Sequence, residues 1–267
     1  MMNQNIVDKA QKQKKKTDFI DNILCNQTSI IGRWDEIEEP RFIWDKSRFG
    51  VIKQIIAFVP GVLFIIDKLL INIVKQSKAY KITKTEIEIG QNTEITIKNY
   101  GIDVPIIDFN GTTSTSLIFG QFEDISSKRE YDHDDLKTYL ANTDLNAFRY
   151  ANVYSTSFQL QVHSKSLETT ITQKWENNMK TEHEMKTKNG EKQNESFTQI
   201  KFKLKNVDQF NVRFENLIKK RLIDLASFND FGVIECNKEI LPSLNFIKYA
   251  NLFLWKEPTS IHGTVII

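Results

Sequence analysis

An α+β fold is predicted for this chain of 267 residues: amphipathic helices that pack with partner subunits, plus antiparallel β-hairpins and an extended ribbon or loop. Three observations lead there. Aliphatic residues alternate with polar ones over 80–97 and again over 158–171 and 200–204, the period of a half-buried strand. A second group of segments, around 62–73, 136–151 and 210–225, repeats its apolar residues at helical intervals. The chain also has 18 Phe against 10 Gly and 5 Pro, which favours packed elements over tight turns.

Residues 1–30 read as a charged, partly helical arm with a basic run at Lys12, Lys14, Lys15 and Lys16. No apolar stretch follows those charges, so a secretory leader is not expected. Trp34, Phe42 and Trp44 stand among Asp35, Glu36, Glu38, Glu39 and Arg41 without periodicity, and read as aromatic anchors on a core or a partner.

The strongest apolar stretch is Phe49–Gln76. Its uninterrupted run, Ile55 to Ile66, is 12 residues, short of the ~20 that cross a bilayer. Lys53, Asp67 and Lys68 bound it, and Pro60-Gly61 breaks it. An apolar segment up to Val59 and a helix opening at Pro60 are predicted instead. On that helix Val62, Ile65, Ile66, Leu69, Leu70 and Ile73 form one stripe, while Asp67, Lys68, Asn72 and Lys75 fill the other side. A membrane-associated scaffold anchored through residues 49–76 is the alternative reading.

Tyr80, Ile82, Ile87, Ile89, Ile95 and Ile97 alternate about the turn Gly90-Gln91-Asn92, the pattern of a hairpin. A strand over Ile102–Phe109 is expected to end at Asn110-Gly111. Carboxylates at 132–135 open a helix carrying Leu136, Tyr139, Leu140, Ala147, Phe148 and Ala151. Phe158, Leu160 and Val162, then Leu167, Thr169 and Ile171, make a second hairpin about His163–Ser166, and Ile200, Phe202 and Leu204 a further strand. Between them Lys174–Ser196 has almost no aliphatic residue and reads as the protruding polar tip of a ribbon. Asp208 is a candidate cap for a helix bearing Phe210, Phe214, Leu217, Ile218, Leu222 and Leu225. Asn237 or Ser243 opens a last helix, with Leu241, Leu244, Ile247, Ala250, Leu252 and Leu254, that ends at Glu257-Pro258. The expected divisions are an arm over 1–48, a helix-plus-β region over 49–154, a β-ribbon over 155–207 and a helical region over 208–267.

Recognisable chemistry is sparse. Glycine-rich nucleotide loops and nucleophile elbows are missing from the sequence. Cys25 and Cys236 are far apart and read as thiols in a reducing compartment. The four histidines, His133, His163, His183 and His262, lack metal-ligand spacing, although His133 stands among aspartates. A net charge of +2 does not predict nucleic-acid binding. No catalytic, cofactor-binding or metal residue is therefore expected, and the chain reads as a structural protein rather than an enzyme.

Four segments in order carry a resemblance: VLFIIDKLL (Val62–Leu70), IDFNGTTSTSLIFGQF with Phe109, Gly111 and Leu117, DLKTYLANTDLNAFRYANVY (Asp135–Tyr154), and FIKYANLFLWKEPTSIHG with Tyr249, Ala250, Leu252 and Pro258. In that order they resemble the TssG family, the baseplate wedge subunit of type VI secretion systems, in its divergent pathogenicity-island (IglJ-like) branch. The resemblance implies a structural, virulence-associated role. It implies a cytoplasmic location in a membrane-docked baseplate assembly, with membrane association only indirect. The implied partners are two TssF-like subunits, TssK-like trimers, a TssE-like subunit and the VgrG spike hub, and no nucleic acid. The implied partner interface comprises Val62, Ile65, Leu69, Phe109, Gly111, Leu117, Tyr249, Ala250, Leu252 and Pro258. Met179 and Met185, in the polar tip, would grip the TssK-like trimers.

Overall fold

The structure, a computed structural model, describes residues 20–79, 81–101, 145–229 and 232–254. In chain order the elements are α1 (Gln27–Ile31), β1 (Ile37–Asp45), β2 (Gly50–Phe58), α2 (Pro60–Ala79), β3 (Lys84–Ile89), β4 (Glu94–Tyr100), α3 (Leu145–Val153), β5 (Ser155–Ser164), β6 (Thr169–Glu176), β7 (Thr181–Glu182), β8 (Lys186–Asn189), β9 (Phe197–Leu204), α4 (Val212–Phe228), β10 (Val233–Cys236), β11 (Glu239–Ile240) and α5 (Phe246–Asn251). The α+β class holds.

The main sheet has nine strands in the order β11-β10-β3-β4-β9-β5-β6-β7, with β8 also against β6. Its pairs are antiparallel except β10 with β3, which is parallel. Alternation puts Ile87, Ile95, Ile97, Ile200, Phe202, Phe158, Leu160, Val162 and Trp175 on one buried face. Glu86, Lys98, Lys201 and Gln159 take the other. Register fixes the assignment, because a slip of one residue would expose the whole apolar set.

Helix α2 starts at Pro60, where a missing N–H costs nothing. The predicted stripe is buried: Val62 and Ile65 are 0% exposed, and Ile66, Leu69, Leu70 and Ile73 are also buried. They join one hydrophobic cluster with the sheet and with Ala147, Phe148 and Ala151 of α3. The partner subunits expected to cover this helix are replaced by the chain's own sheet and helices. No helix among the described residues is long and apolar enough to cross a membrane.

Other expectations need correction. Residues 37–58 form a β-hairpin in full register from Ile37↔Phe58 to Asp45↔Gly50. Asp45 accepts from the Ser47 and Arg48 amides to make the corner, and Phe49 sits left-handed at φ 46°. Four charged residues in nine along β1 hide its alternation; Trp44, 2% exposed, is an anchor on the chain's own core. The polar stretch 174–196 is not a protruding tip. β6 runs on to Glu176, and β7 and β8 fold back against it. Main-chain pairing at a sheet edge orders a segment that apolar burial does not.

Helix α4 is capped by Asn211, which accepts from the Phe214 amide at 2.8 Å, and not by Asp208. The long final helix becomes the β10–β11 hairpin plus the six residues of α5, capped by Asn245. Asn237 turns that hairpin at φ 47°, and its side chain bonds to the Ile89 main chain on both sides, at 2.8 and 3.2 Å. The strand Ile102–Phe109 and the first part of the helix predicted from 132 lie outside the described residues.

Candidate functional site

Two open grooves flank α4. One, about 520 Å³, is bounded by Phe42, Phe64, Asp67, Arg221 and Asp224. Its charges are already paired: Arg221 Nε donates to Asp67 Oδ1 at 2.5 Å and Lys220 Nζ to Asp224 Oδ2 at 2.8 Å. The other, about 390 Å³, lies between Trp34, Phe58, Val62, Asn211 and Phe214, where Asn211 is spent on the α4 cap. Among the described residues, neither leaves a buried polar atom without a partner.

A third space does. It lies between the helices and the sheet, and is lined by Leu69, Asn72 and Ile73 of α2, Ile97 and Asn99 of β4, Thr198 and Ile200 of β9, and Phe148 of α3. The spacing 69, 72, 73 is one helix face. On the sheet, Ile97 pairs with Ile200 and Asn99 with Thr198, so the floor is apolar at one end and polar at the other. Asn72 is 2% exposed and its Nδ2 has no partner; Thr198 Oγ1 is in the same state. Asn152, one helical turn beyond Phe148, has neither amide atom partnered. Asn99 Oδ1 accepts from Thr85 Oγ1 at 3.1 Å. Buried polar atoms are nearly always bonded, and each exception asks for a reason. The space, about 10 Å³, has room for a single buried water, which suits these unmet groups.

Among the described residues the lining holds no carboxylate. Among the described residues no three His, Cys, Asp or Glu side chains cluster as metal ligands. His163 is fully buried on the opposite face of the sheet, stacked on Phe197 at 5.5 Å with Nδ1 2.8 Å from Thr170 Oγ1. Burial pushes the Cys236 thiol up to about 12, which leaves it inert.

The expected interface residues are scattered. Val62, Ile65, Leu69, Met179 and Leu252 are buried within the chain. Met185 and Tyr249 are partly buried against the core, Tyr249 donating to Asp224 Oδ1 at 2.8 Å. Ala250 is half-buried on α5. Phe109, Gly111, Leu117 and Pro258, like His133 and His262, lie outside the described residues. Asn72, Asn99, Thr198 and Phe148 were not singled out for a site. The available signal was Asn72, a polar residue between the apolar positions Leu69, Leu70 and Ile73; it was assigned to the polar side of α2, whereas the structure buries it.

No family profile matches the chain. Curated relatives are the probable DNA topoisomerase 2 of Dictyostelium discoideum, 27% identical over 265 residues and 93% of this chain, and DNA topoisomerase 2 of Saccharomyces cerevisiae, 27% identical over 256 residues and 92%. Human DNA topoisomerase 2-alpha is 26% identical over 90% of the chain. The chain spans 17% of the length of the slime mould and yeast proteins and 16% of the human one. Among solved structures, the ATPase region of Saccharomyces cerevisiae topoisomerase II superposes with TM-score 0.73 at 24% identity, covering 87% of this chain and 62% of that one. The ATPase and transducer domains of Balamuthia mandrillaris DNA topoisomerase II give 0.73 at 20% identity, covering 88% and 61%.

These relatives overturn the TssG reading with all that it implied. A wedge subunit, its TssF-, TssK-, TssE- and VgrG-type partners and a membrane-docked, virulence-associated location have no counterpart in proteins named for DNA topology. The alternative of a membrane scaffold through 49–76 falls too, since that segment is β2 and the buried helix α2. Motif absence also misjudged enzyme class and nucleic acid: the relatives are enzymes, and DNA is in their names. Four short motifs in order were matched by apolar spacing that any helix-on-sheet core produces. The fold of this chain is that of the topoisomerase II ATPase region.

Proposed function

We propose that this chain is an ATPase-region-type module of a type II DNA topoisomerase, and that DNA is the substrate of the larger assembly. The observation that carries the reading is the fold shared with the topoisomerase II ATPase region over 87% of this chain, together with 27% identity to DNA topoisomerase 2 proteins.

The cavity between α2, α3 and the sheet has a volume of about 10 Å³, space for one water molecule at most, where small-molecule pockets run to ~300–1,000 Å³. In this conformation the lining does not fit a nucleotide. Without a carboxylate, it also has no group of its own to activate a water.

The test is a titration of the full chain with ADP, followed by calorimetry and thermal unfolding. Saturable binding is expected, with a stabilisation of about 1.4 kcal/mol at a tenfold excess over Kd, or roughly 3 °C in Tm. A flat titration of the wild-type chain removes the reading.

A further inference from the structure

We propose that the groove between Trp34 and the 206–211 segment receives an arginine side chain from a basic peptide segment of a partner protein. Nothing in this site depends on nucleotide binding.

The groove has a volume of about 390 Å³, within the ~300–1,000 Å³ of ligand sites. Its floor is apolar: Phe58 is 3% exposed and Val62 is 0%. Trp34 lines it, and that ring is fixed from three directions. It stacks on Tyr154 with centroids 5.1 Å apart, its Nε1 donates to the Lys205 carbonyl at 3.2 Å, and a Cβ on Gly61 would stand 2.8 Å from it. The segment leading into α4 is fixed as well. Asn206 turns it at φ 56°, Asn211 Nδ2 donates to the Ala57 carbonyl at 3.2 Å, and Phe210 stacks on Phe214 at 4.9 Å. A site built before its ligand arrives loses little to ordering on binding.

Charge selects the ligand. Glu36 and Asp208 both line the groove, and among the described residues neither carboxylate has a hydrogen-bond or ion-pair partner. Nearby acids differ: Asp35 is taken by Arg33, Glu39 by Arg41 and Asp67 by Arg221. No Lys or Arg of the described residues lines the groove. Two unmet negative charges beside an indole, over an apolar floor, call for a cation on a long apolar stem. Arginine has both, and its planar guanidinium stacks on an aromatic ring and forks to a carboxylate, where an ammonium is a point charge. The groove is open to solvent, so a peptide main chain can lie across its mouth while the side chain reaches the floor.

The test titrates the isotope-labelled full chain with N-acetyl-glycyl-arginyl-glycinamide, read by the Trp34 Nε1–H resonance and the 206–211 amides, with Trp34→Phe assigning the indole. The citrulline peptide, equal in shape but uncharged, should bind about tenfold more weakly, and the lysine peptide about threefold more weakly. Glu36→Gln and Asp208→Asn remove exposed charges and strand no partner. Each should weaken the arginine peptide about threefold, and the pair about tenfold, with the thermal midpoint unchanged. Equal binding of the arginine peptide and either analogue overturns the proposal, as does full binding by the double variant or a flat titration. Agmatine, the same guanidinium on a free amine, separates the sources: binding at least as tight as the peptide's puts a small free cation in the groove and overturns the partner assignment.

Discussion

At the residue scale the most constrained group is the carboxylate of Glu239. It accepts from Trp44 Nε1 at 3.1 Å and from Lys219 Nζ at 2.8 Å, and Lys219 also reaches Glu215 at 2.7 Å. Lys219, on the buried face of α4, is 7% exposed, so its charge is tolerated only because two carboxylates meet it. Burial opposes the charge on Glu239, but the bonds from Lys219 and Trp44 outweigh it and hold its pKa below the ordinary 4.5. A depressed carboxylate contributes stability above its ordinary pKa and loses it as pH falls through the folded value. Glu239→Gln should therefore cost roughly 2 kcal/mol at pH 7, and the gap to wild type should close in urea titrations below pH 4. A constant gap from pH 7 to pH 3 would show that the charge is not what matters. This cluster was invisible in the sequence: Trp44, Lys219 and Glu239 are separated by 175 and 20 positions, and only the meeting of β1, α4 and β11 joins them.

At the element scale the last strand pair decides the edge of the sheet. β10 enters parallel to β3, with the Val233 amide donating to the Thr83 carbonyl at 3.1 Å. Gly232 makes the approach at φ +65°, and a Cβ there would collide with the Thr83 carbonyl oxygen. Both the conformation and the space exclude a side chain. Gly232→Ala should cost more than about 1 kcal/mol, measured as a lower urea midpoint with an unchanged m-value. Near-neutral stability would contradict the parallel docking. The hairpins β3–β4 and β5–β6 and helices α2 and α4 were legible because each buries one face, so its period shows. β1, β7 and β8 were not, because edge and short strands keep polar residues on both faces. The β10–β11 turn was misread as helix because apolar residues near 241–254 are dense enough to satisfy either period.

At the scale of the whole molecule, both sheets and all the longer helices contribute to one contiguous core, from Ile20 and Ile43 through α2 to Phe158 and Leu241. Trp34 stacks on Tyr154 at 5.1 Å, and its Nε1 donates to the Lys205 carbonyl at 3.2 Å, which ties the N-terminal segment to the main sheet. The described parts should therefore melt together. Far-UV circular dichroism and tryptophan fluorescence are expected to give coincident urea transitions; two separated midpoints would mean that the β1–β2 hairpin and α4 unfold apart from the nine-stranded sheet.

The sequence by itself determined the α+β class, the presence of the hairpins β3–β4 and β5–β6 and the buried stripe of α2, because periodicity is a local record of which face meets the core. Only the tertiary structure decided what covers that stripe, and which polar residues it closes over. Asn72, Asn99 and Thr198 come from three separate stretches of chain, and each alone looks like an ordinary surface residue. That Asn72 and Thr198 lack partners becomes a fact only once helix and sheet shut out water, while Asn99 meets Thr85 across the same sheet. Exclusion of solvent is a property of the packed layers, so no pattern along one segment records it.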